Sequence, residues 1–162
     1  TLAPWALSVM HANSLAILPH NLEHSVELLP THALALWKYT DMSDPRWTWG
    51  KHFLQLRQDP ASPTPQKAGL INRYGWAASQ LEDQVFLKRF PYDPGAEYPD
   101  FGCNFEVYTN GDILELESLG PLQALQPGGS LSHTELWSLY RNIPPVVDES
   151  SITEFILPLV FP

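Results

Sequence analysis

The stretch FGCNFEVYTNGDILELESLG, residues 101–120, decides the fold. An Asn-Gly pair, Asn110-Gly111, lies at its centre. Asn-Gly between runs of alternating apolar and polar residues is the strongest short-range signal of a β-hairpin, because a type I′ turn needs positive φ at both central residues. The flanking runs NFEVY and ILELE alternate in this way and predict two strands joined by a two-residue turn.

The two faces of this predicted hairpin differ in chemistry. In a two-residue register Glu106 faces Glu115, and Asn104 faces Glu117, with Tyr108 on the same side. Opposed like charges destabilise a sheet by a few tenths to about 1 kcal/mol. Three interpretations stay open: carboxylates that raise one another's pKa for acid/base work, oxygen ligands for calcium, or the solvated face of an antiparallel sheet. The opposite face is apolar: Phe105, Val107, Leu114 and Leu116.

Many short alternating segments, separated by turn residues, predict an all-β protein with a single antiparallel β-sandwich domain over residues 1–162. Sixteen prolines make long helices improbable. Residues 41–50 and 60–66 are expected to be loops, and 151–162 either a helical turn or a closing strand. Besides the hairpin, strands are predicted within 3–18 (two, around a turn at 11–14), 31–40, 52–59, 67–80 (two), 84–90 and 130–140.

Composition excludes several classes of partner. The chain has 18 acidic and 9 basic residues, a formal net charge of −9, and its cations are scattered. A nucleic-acid partner needs a basic patch, so none is expected. No apolar run has the length of a membrane span, so no membrane partner is expected either. Cys103 is the only cysteine, which excludes an intrachain disulfide; a cytoplasmic location is compatible with this, but the sequence does not assign the compartment.

Abundant aromatic residues suggest a carbohydrate ligand. Sugar rings stack on indoles, while their hydroxyls bind carboxylates, amides, Arg and Lys; the alternative is that most of these rings fill the core. Another alternative is a zinc enzyme, because His20, Glu23 and His24 spell H-x-x-E-H; against it, only about ten residues separate the flanking prolines, which favours a solvated turn. The substrate-binding candidates are Arg46, Lys67, Trp49, Trp76, Asn104, Glu106, Tyr108 and His133.

Four segments carry a resemblance to a known family: APWALSVM (3–10), LWKYTDMSDPRWTWG (36–50), KRFPYDPGAEYPDFGCNFEVYTNGDILELESLGPL (88–122) and LQPGGSLSHTELWSL (125–139). They resemble an uncharacterised bacterial family known only as a domain of unknown function. That family is similar in fold to the galactose mutarotase-like β-supersandwich. Its members begin with further strands, so the resemblance implies that this chain is the C-terminal part of a larger sandwich. An open sheet edge would follow, and with it a homodimer.

The resemblance also implies a mechanism. Aldose epimerases of that superfamily are isomerases that use a glutamate base and a histidine acid. Glu117 matches the glutamate best and Glu115 second. His11 is the candidate acid, with His20 and His133 as rivals. Besides this activity, three alternatives stay open: a non-catalytic carbohydrate-binding module, the metal-dependent enzyme, and a structural or assembly fragment without a site.

Overall fold

Two antiparallel sheets face each other in the computed structural model, which describes residues 1–23, 26 and 28–161. The predicted all-β sandwich is confirmed. One sheet has five strands in the order β1-β10-β9-β6-β3, and the other has six in the order β11-β8-β7-β2-β5-β4. The strands are β1 Trp5–Met10, β2 Leu15–Pro19, β3 Leu34–Leu36, β4 Trp47–Trp49, β5 Phe53–Arg57, β6 Gln66–Leu70, β7 Trp76–Leu81, β8 Gln84–Arg89, β9 Phe105–Thr109, β10 Leu114–Leu119 and β11 Leu136–Tyr140.

The main core lies between the sheets, as the alternating patterns predict. Side chains of β9 and β10 that point inward, among them Val107 and Leu116, are fully buried against Ala16, Leu56 and their neighbours from the six-stranded sheet. Burying a side chain the size of valine or leucine contributes about 1.5–3 kcal/mol. This layer therefore fixes which face of the five-stranded sheet points away from the core.

A C-terminal helical segment covers the other face of the six-stranded sheet, which settles the choice between helix and strand for this region. It consists of α2 (Glu149–Ser151), a π-helical turn (Ile152–Ile156) and α3 (Leu157–Val160), and it begins at a capping box formed by Asp148. Its buried side chains pack into a second apolar cluster with β2, β7 and β8. A short helical turn, α1 (Pro99–Gly102), precedes β9. Of the helices described, none has the length and apolar character needed to cross a membrane.

The hairpin differs from the prediction in its turn and register. Four residues, 110–113, separate the strands, and Glu106 lies opposite Glu117 while Tyr108 lies opposite Glu115. The predicted Glu106–Glu115 and Asn104–Glu117 pairs are therefore wrong. A shift of two residues leaves every side chain on its predicted face, since the side-chain period of a strand is two.

Contacts within and outside the hairpin explain the wider turn. Neither Asn110 nor Gly111 has a positive φ. Instead, Asn110 Oδ1 accepts hydrogen bonds from two backbone N–H groups further along the turn, at 2.8 and 3.0 Å. Gln58 Nε2 donates to the carbonyls of Asn110 and Gly111, at 3.2 and 2.9 Å. A second correction concerns the segment predicted as a loop at 41–50, which ends in the short edge strand β4.

Candidate functional site

Three charged side chains meet on the outer face of the five-stranded sheet: Lys67 of β6, Glu106 of β9 and Glu117 of β10, here called the Lys67 cluster. Lys67 Nζ lies 2.7 Å from Glu106 Oε2 and 2.8 Å from Glu117 Oε2. Glu117 has no exposed surface and Glu106 is 2 % exposed. Burying each charge costs several kcal/mol, which the attraction between paired charges offsets only where the geometry is good. The cluster therefore carries a desolvation cost on a face that an ordinary sandwich exposes to solvent.

Strand register brings these side chains together. Glu106 lies opposite Glu117 on one side and opposite Gly69 on the other, and Lys67 is two residues from Gly69 on β6. A Cβ at Gly69 would lie 2.8 Å from Cys103 Sγ and 3.3 Å from Glu106 Cγ. The absence of a side chain at Gly69 therefore leaves the space into which Glu106 folds.

Two tryptophans cover the cluster. Trp5 of β1 donates from Nε1 to Glu117 Oε2 at 3.0 Å. Lys67 Nζ lies 5.4 Å from the centre of the Trp5 ring and 4.8 Å from that of Trp37, which follows β3. Cation–π contacts of desolvated ammonium groups are worth up to about 2 kcal/mol. The indoles thus stabilise the ammonium and keep water from the carboxylates.

A strained turn places a third carboxyl group at the cluster. In α1, Asp100 has φ 50° and Phe101 has φ 64°, left-handed conformations that cost residues with a Cβ about 1–2 kcal/mol each. The Asp100 carboxyl lies within hydrogen-bonding reach of Glu106. Strain of this kind persists only where surrounding structure holds it, and it clusters at functional sites.

The electrostatics of the cluster favour a proton near neutral pH. Burial raises the pKa of Glu106 to about 7; Glu117 and Asp100 add to the rise, and Lys67 opposes it. Burial disfavours the Lys67 charge, but hydrogen bonds to the two glutamates raise its pKa above the ordinary value. Within the described residues, Glu106 Oε1 and Glu117 Oε1 have no hydrogen-bond donor.

A cavity of about 270 Å³ adjoins the cluster. Trp37 and Asp100, which both contact the cluster, form part of its wall, together with Lys38 and the almost fully exposed Phe101. A ligand in this cavity would meet an indole, a phenyl ring, a carboxyl group and an ammonium group. This is the small set of polar groups among apolar walls that characterises ligand sites.

Five of the residues predicted from the sequence share this face of the sheet. Glu106, Glu117 and Lys67 form the cluster, and Tyr108 and Glu115 form the next cross-strand pair. Burial raises the pKa of Glu115, and the Glu117 charge adds to the rise. A calcium ion bound between Glu106 and Glu117 would have to displace the Lys67 ammonium from its position between them.

Other predicted ligand residues have structural partners elsewhere. Arg46 is buried and pairs with Asp44 at 2.8 Å. Asn104 is buried and exchanges hydrogen bonds with the backbone of Asn72. Trp76 lies in the core beneath the C-terminal helical segment. The structure therefore does not bring Arg46, Asn104 and Trp76 to the cluster.

Trp49 and the candidate metal ligands also lie apart from the cluster. Trp49 stacks on Trp47, with ring centres 4.7 Å apart. His20 Nε2 contacts the carbonyl oxygen of Gly50 at 3.0 Å, and His24 of the predicted zinc motif lies outside the described residues. In the part of the chain that the structure covers, no group of three or more His, Cys, Asp or Glu side chains is placed to hold a metal ion.

The candidate acid histidines do not meet Glu117. His11 follows the end of β1 that lies opposite Leu114, about 13 Å along the strand from the residue facing Glu117. His133 Nε2 contacts Ser118 Oγ at 2.7 Å, and Ser118 points to the opposite side of the sheet from Glu117, since successive side chains alternate.

Sequence reasoning missed Trp5 and Asp100, and it did not predict that Trp37 contacts Lys67. The aromatic richness of the chain was the only signal for the tryptophans. No local pattern reveals that β1 pairs with β10, or that an irregular loop returns Asp100 to β9. No protein-family model, curated protein or solved structure matches this chain.

Proposed function

We propose that the cavity beside the Lys67 cluster binds a small carbohydrate. One observation carries the proposal: the Asp100 carboxyl, within hydrogen-bonding reach of Glu106, lines a cavity together with Trp37 and Phe101. Sugars offer hydroxyl donors for a carboxylate and apolar ring faces for aromatic side chains. The acidic, aromatic-rich sequence and the resemblance to a mutarotase-like family point to the same class of ligand.

The polar and apolar walls have separate roles in this proposal. The Trp37 indole, held over Lys67, offers a ring face, and the Asp100 carboxyl accepts hydroxyl hydrogen bonds at the cavity wall. Lys38, which also lines the cavity, offers a hydrogen-bond donor. In this proposal the sugar is bound without being chemically changed, and the protein is a non-catalytic carbohydrate-binding module.

Calorimetric titration with a panel of neutral monosaccharides tests this proposal. Trp37→Ala should weaken binding by at least about tenfold, because stacking and burial on an aromatic ring are worth more than about 1.4 kcal/mol. Trp49→Ala is the matched control, since Trp49 stacks on Trp47 away from the cavity. If no sugar binds, or if both variants bind like the unchanged protein, the proposal fails.

Anomer interconversion is the second candidate, and the pKa of Glu106 favours it. A group with a pKa of about 7 can both accept and donate a proton at neutral pH. Epimerase-type chemistry removes the proton of the anomeric hydroxyl and protonates the ring oxygen, so that the ring opens, and closure returns both protons. Glu106 would accept and return the proton here, in place of the Glu117 and histidine that the resemblance implies, and Asp100, within hydrogen-bonding reach of Glu106, lines the cavity beside it.

Two variants separate the residue assignments. NMR exchange or polarimetry on common aldoses should show interconversion that Glu106→Gln abolishes. Glu117→Gln tests the assignment from the resemblance. If activity survives Glu106→Gln but not Glu117→Gln, the assignment to Glu106 is overturned, while the proposed epimerase activity is retained with Glu117 as its base. Rates no higher than background with every aldose would leave only binding.

The predicted homodimer also remains a proposal, and the edge strands support it. β1 is an edge strand of the five-stranded sheet and β11 an edge strand of the six-stranded sheet. These edges lie on the same rim of the sandwich, because Lys88 of β8, which pairs with β11, contacts the Ala6 carbonyl of β1. Neither strand contains a charged residue, and Trp5, Trp137 and Leu139 are 55 %, 62 % and 80 % exposed. Monomeric proteins usually protect long edges with charges. A second copy is the proposed occupant, because antiparallel edge pairing about a two-fold axis is self-complementary.

Sedimentation analysis over a range of protein concentrations tests the dimer. Leu139→Lys should shift the protein to monomer. Val147→Lys changes an equally exposed residue away from this rim and should have no effect. A monomer at every concentration would overturn the proposal.

A further inference from the structure

A second cavity, of about 530 Å³, lies at one end of the six-stranded sheet. It is bounded by the turn before β7, the end of β8, the following Pro91-Tyr92 segment and the beginning of β11. Arg73 and Arg89 line it, and none of the described residues that line it is acidic. In a chain with 18 acidic and 9 basic residues, this is a local reversal of the overall charge. None of its lining residues belongs to the cavity beside the Lys67 cluster.

Buried hydrogen bonds fix the turn that carries Arg73. Asn72, which is fully buried, accepts at Oδ1 from the backbone N–H groups of Tyr74 and Gly75, both at 3.1 Å. Gly75 has φ 67°, and a Cβ there would lie 2.6 Å from the Phe90 carbonyl oxygen. The turn is therefore held in one conformation before any ligand arrives, which reduces the entropy cost of binding.

Arg89 is held by neutral groups. Its Nη2 donates to the carbonyl oxygens of Leu159 and Val160 at 2.7 and 3.2 Å. The ion pairs found among the described residues involve neither Arg89 nor Arg73. Arg73 Nη2 likewise donates to a carbonyl oxygen, that of Thr31, at 3.1 Å. Carbonyl oxygens orient a guanidinium without neutralising its charge, so both arginines retain a positive charge that attracts an anion.

Aromatic side chains complete the walls. Tyr74, Phe90 and Tyr92 line the cavity. The Tyr74 hydroxyl accepts from the Leu22 N–H at 2.7 Å, and Tyr92 stacks on Tyr98. These contacts hold the tyrosine rings in place as flat surfaces. A ligand that matches the cavity has an apolar face for the rings and an anionic group for the arginines.

We propose that this cavity is a second ligand site, which binds a small organic anion: a carboxylate or phosphate group on a body with an apolar face. Planar guanidinium groups match both oxyanions through paired N–H donors. The site is separate from the proposed carbohydrate site, and either can fail without the other.

Calorimetry with four probes tests the proposal: D-glucuronate, D-glucose 6-phosphate, D-glucose and inorganic phosphate. At least one of the two sugar anions should bind, and the comparison between them distinguishes a carboxylate ligand from a phosphate ester. Glucose should not compete for the site, and inorganic phosphate should bind more weakly than the sugar phosphate, since it lacks the apolar face. Failure of both sugar anions to bind overturns the proposal, as does glucose binding that Arg73→Gln weakens.

Variants locate the binding. Arg73→Gln should weaken anion binding by at least about tenfold, because a charge-assisted hydrogen bond is lost. Arg57→Gln removes the same charge from an exposed arginine outside the cavity and should leave the affinity within about twofold. Arg89→Lys keeps the charge and loses the fork, so it should weaken binding as well. Equal losses in the Arg73 and Arg57 variants would mean that only the overall charge matters, and would overturn the proposal.

Discussion

Replacing Glu106 with glutamine should change how the stability of the protein depends on pH. The pKa of Glu106 is raised in the folded protein from 4.5 to about 7, which corresponds to about 3.4 kcal/mol at 1.36 kcal/mol per pKa unit. A raised carboxyl pKa means that the folded state holds the proton more tightly than the unfolded state. The corresponding stabilisation is complete below pH 4.5 and is lost as the pH rises through about 7.

The measurement is a difference between two proteins. Urea unfolding, followed by tryptophan fluorescence at pH 5 and pH 8, gives the free energy of unfolding of the unchanged protein and of Glu106→Gln. Titration of the six histidines affects both proteins and cancels in the difference. Relative to the variant, the unchanged protein should lose about 2.5 kcal/mol between these two pH values. Glu97→Gln, at an exposed carboxyl group, should show no such loss.

The sign of this difference is decisive. A gain of relative stability with rising pH would show that the Lys67 ammonium lowers the pKa of Glu106 and outweighs burial. A change below about 0.5 kcal/mol, equivalent to less than half a pKa unit, would refute the raised pKa altogether. Either result would remove Glu106 as the proton-transfer group in the proposed epimerase chemistry, while the carbohydrate-binding proposal would stand on its own titrations.

Three further perturbations test the buried charges and the cysteine. Lys67→Met should lower the free energy of unfolding by about 3–5 kcal/mol, because two buried carboxyl groups lose their cation. Lys38→Met, at an exposed residue beside the same cavity, should change it by less than about 0.5 kcal/mol. Equal effects of the two variants in urea unfolding would contradict the buried ion pairs. Lys88→Met should lower the free energy of unfolding by a similar amount, about 3–5 kcal/mol, since Lys88 has no exposed surface and lies 2.7 Å from Glu135. Adding Glu135→Gln should restore part of this loss. If the effects of the two substitutions simply add, the result would argue against coupling between the two side chains. Burial raises the pKa of Cys103 to about 12, so iodoacetamide should leave it unmodified in the native protein and alkylate it after unfolding, and rapid native labelling would disprove its burial.

The sequence predicts what local periodicity determines. The alternation in NFEVY and ILELE places Phe105 and Val107 in the core and the glutamates on the opposite face, and the structure has them there. The register was wrong because Gln58, which directly follows β5, hydrogen-bonds the turn at Asn110. An Asn-Gly pair is a local signal, and a tertiary contact overrides it.

Polar residues were harder to assign than apolar ones. Arg46 and Asn104 were predicted to bind ligand because of their side-chain chemistry, yet both hydrogen-bond the backbone of nearby segments. Buried backbone groups need partners as much as ligands do, and a sequence does not show which of the two a polar side chain serves. Trp5 was missed for the converse reason, since its partner Glu117 lies 112 residues further along the chain.

That separation has a consequence for synthesis on the ribosome. β1 leaves the ribosome before β10, its neighbour in the sheet, which is made more than a hundred residues later. Closing so long a loop costs about 4 kcal/mol of chain entropy, and pairings of this kind slow folding. The uncharged segment WALSVM therefore remains unpaired while the residues between β1 and β10 are translated. It is the segment on which we expect a chaperone to act. The Lys67 cluster is covered by Trp5 only once β1 has paired with β10.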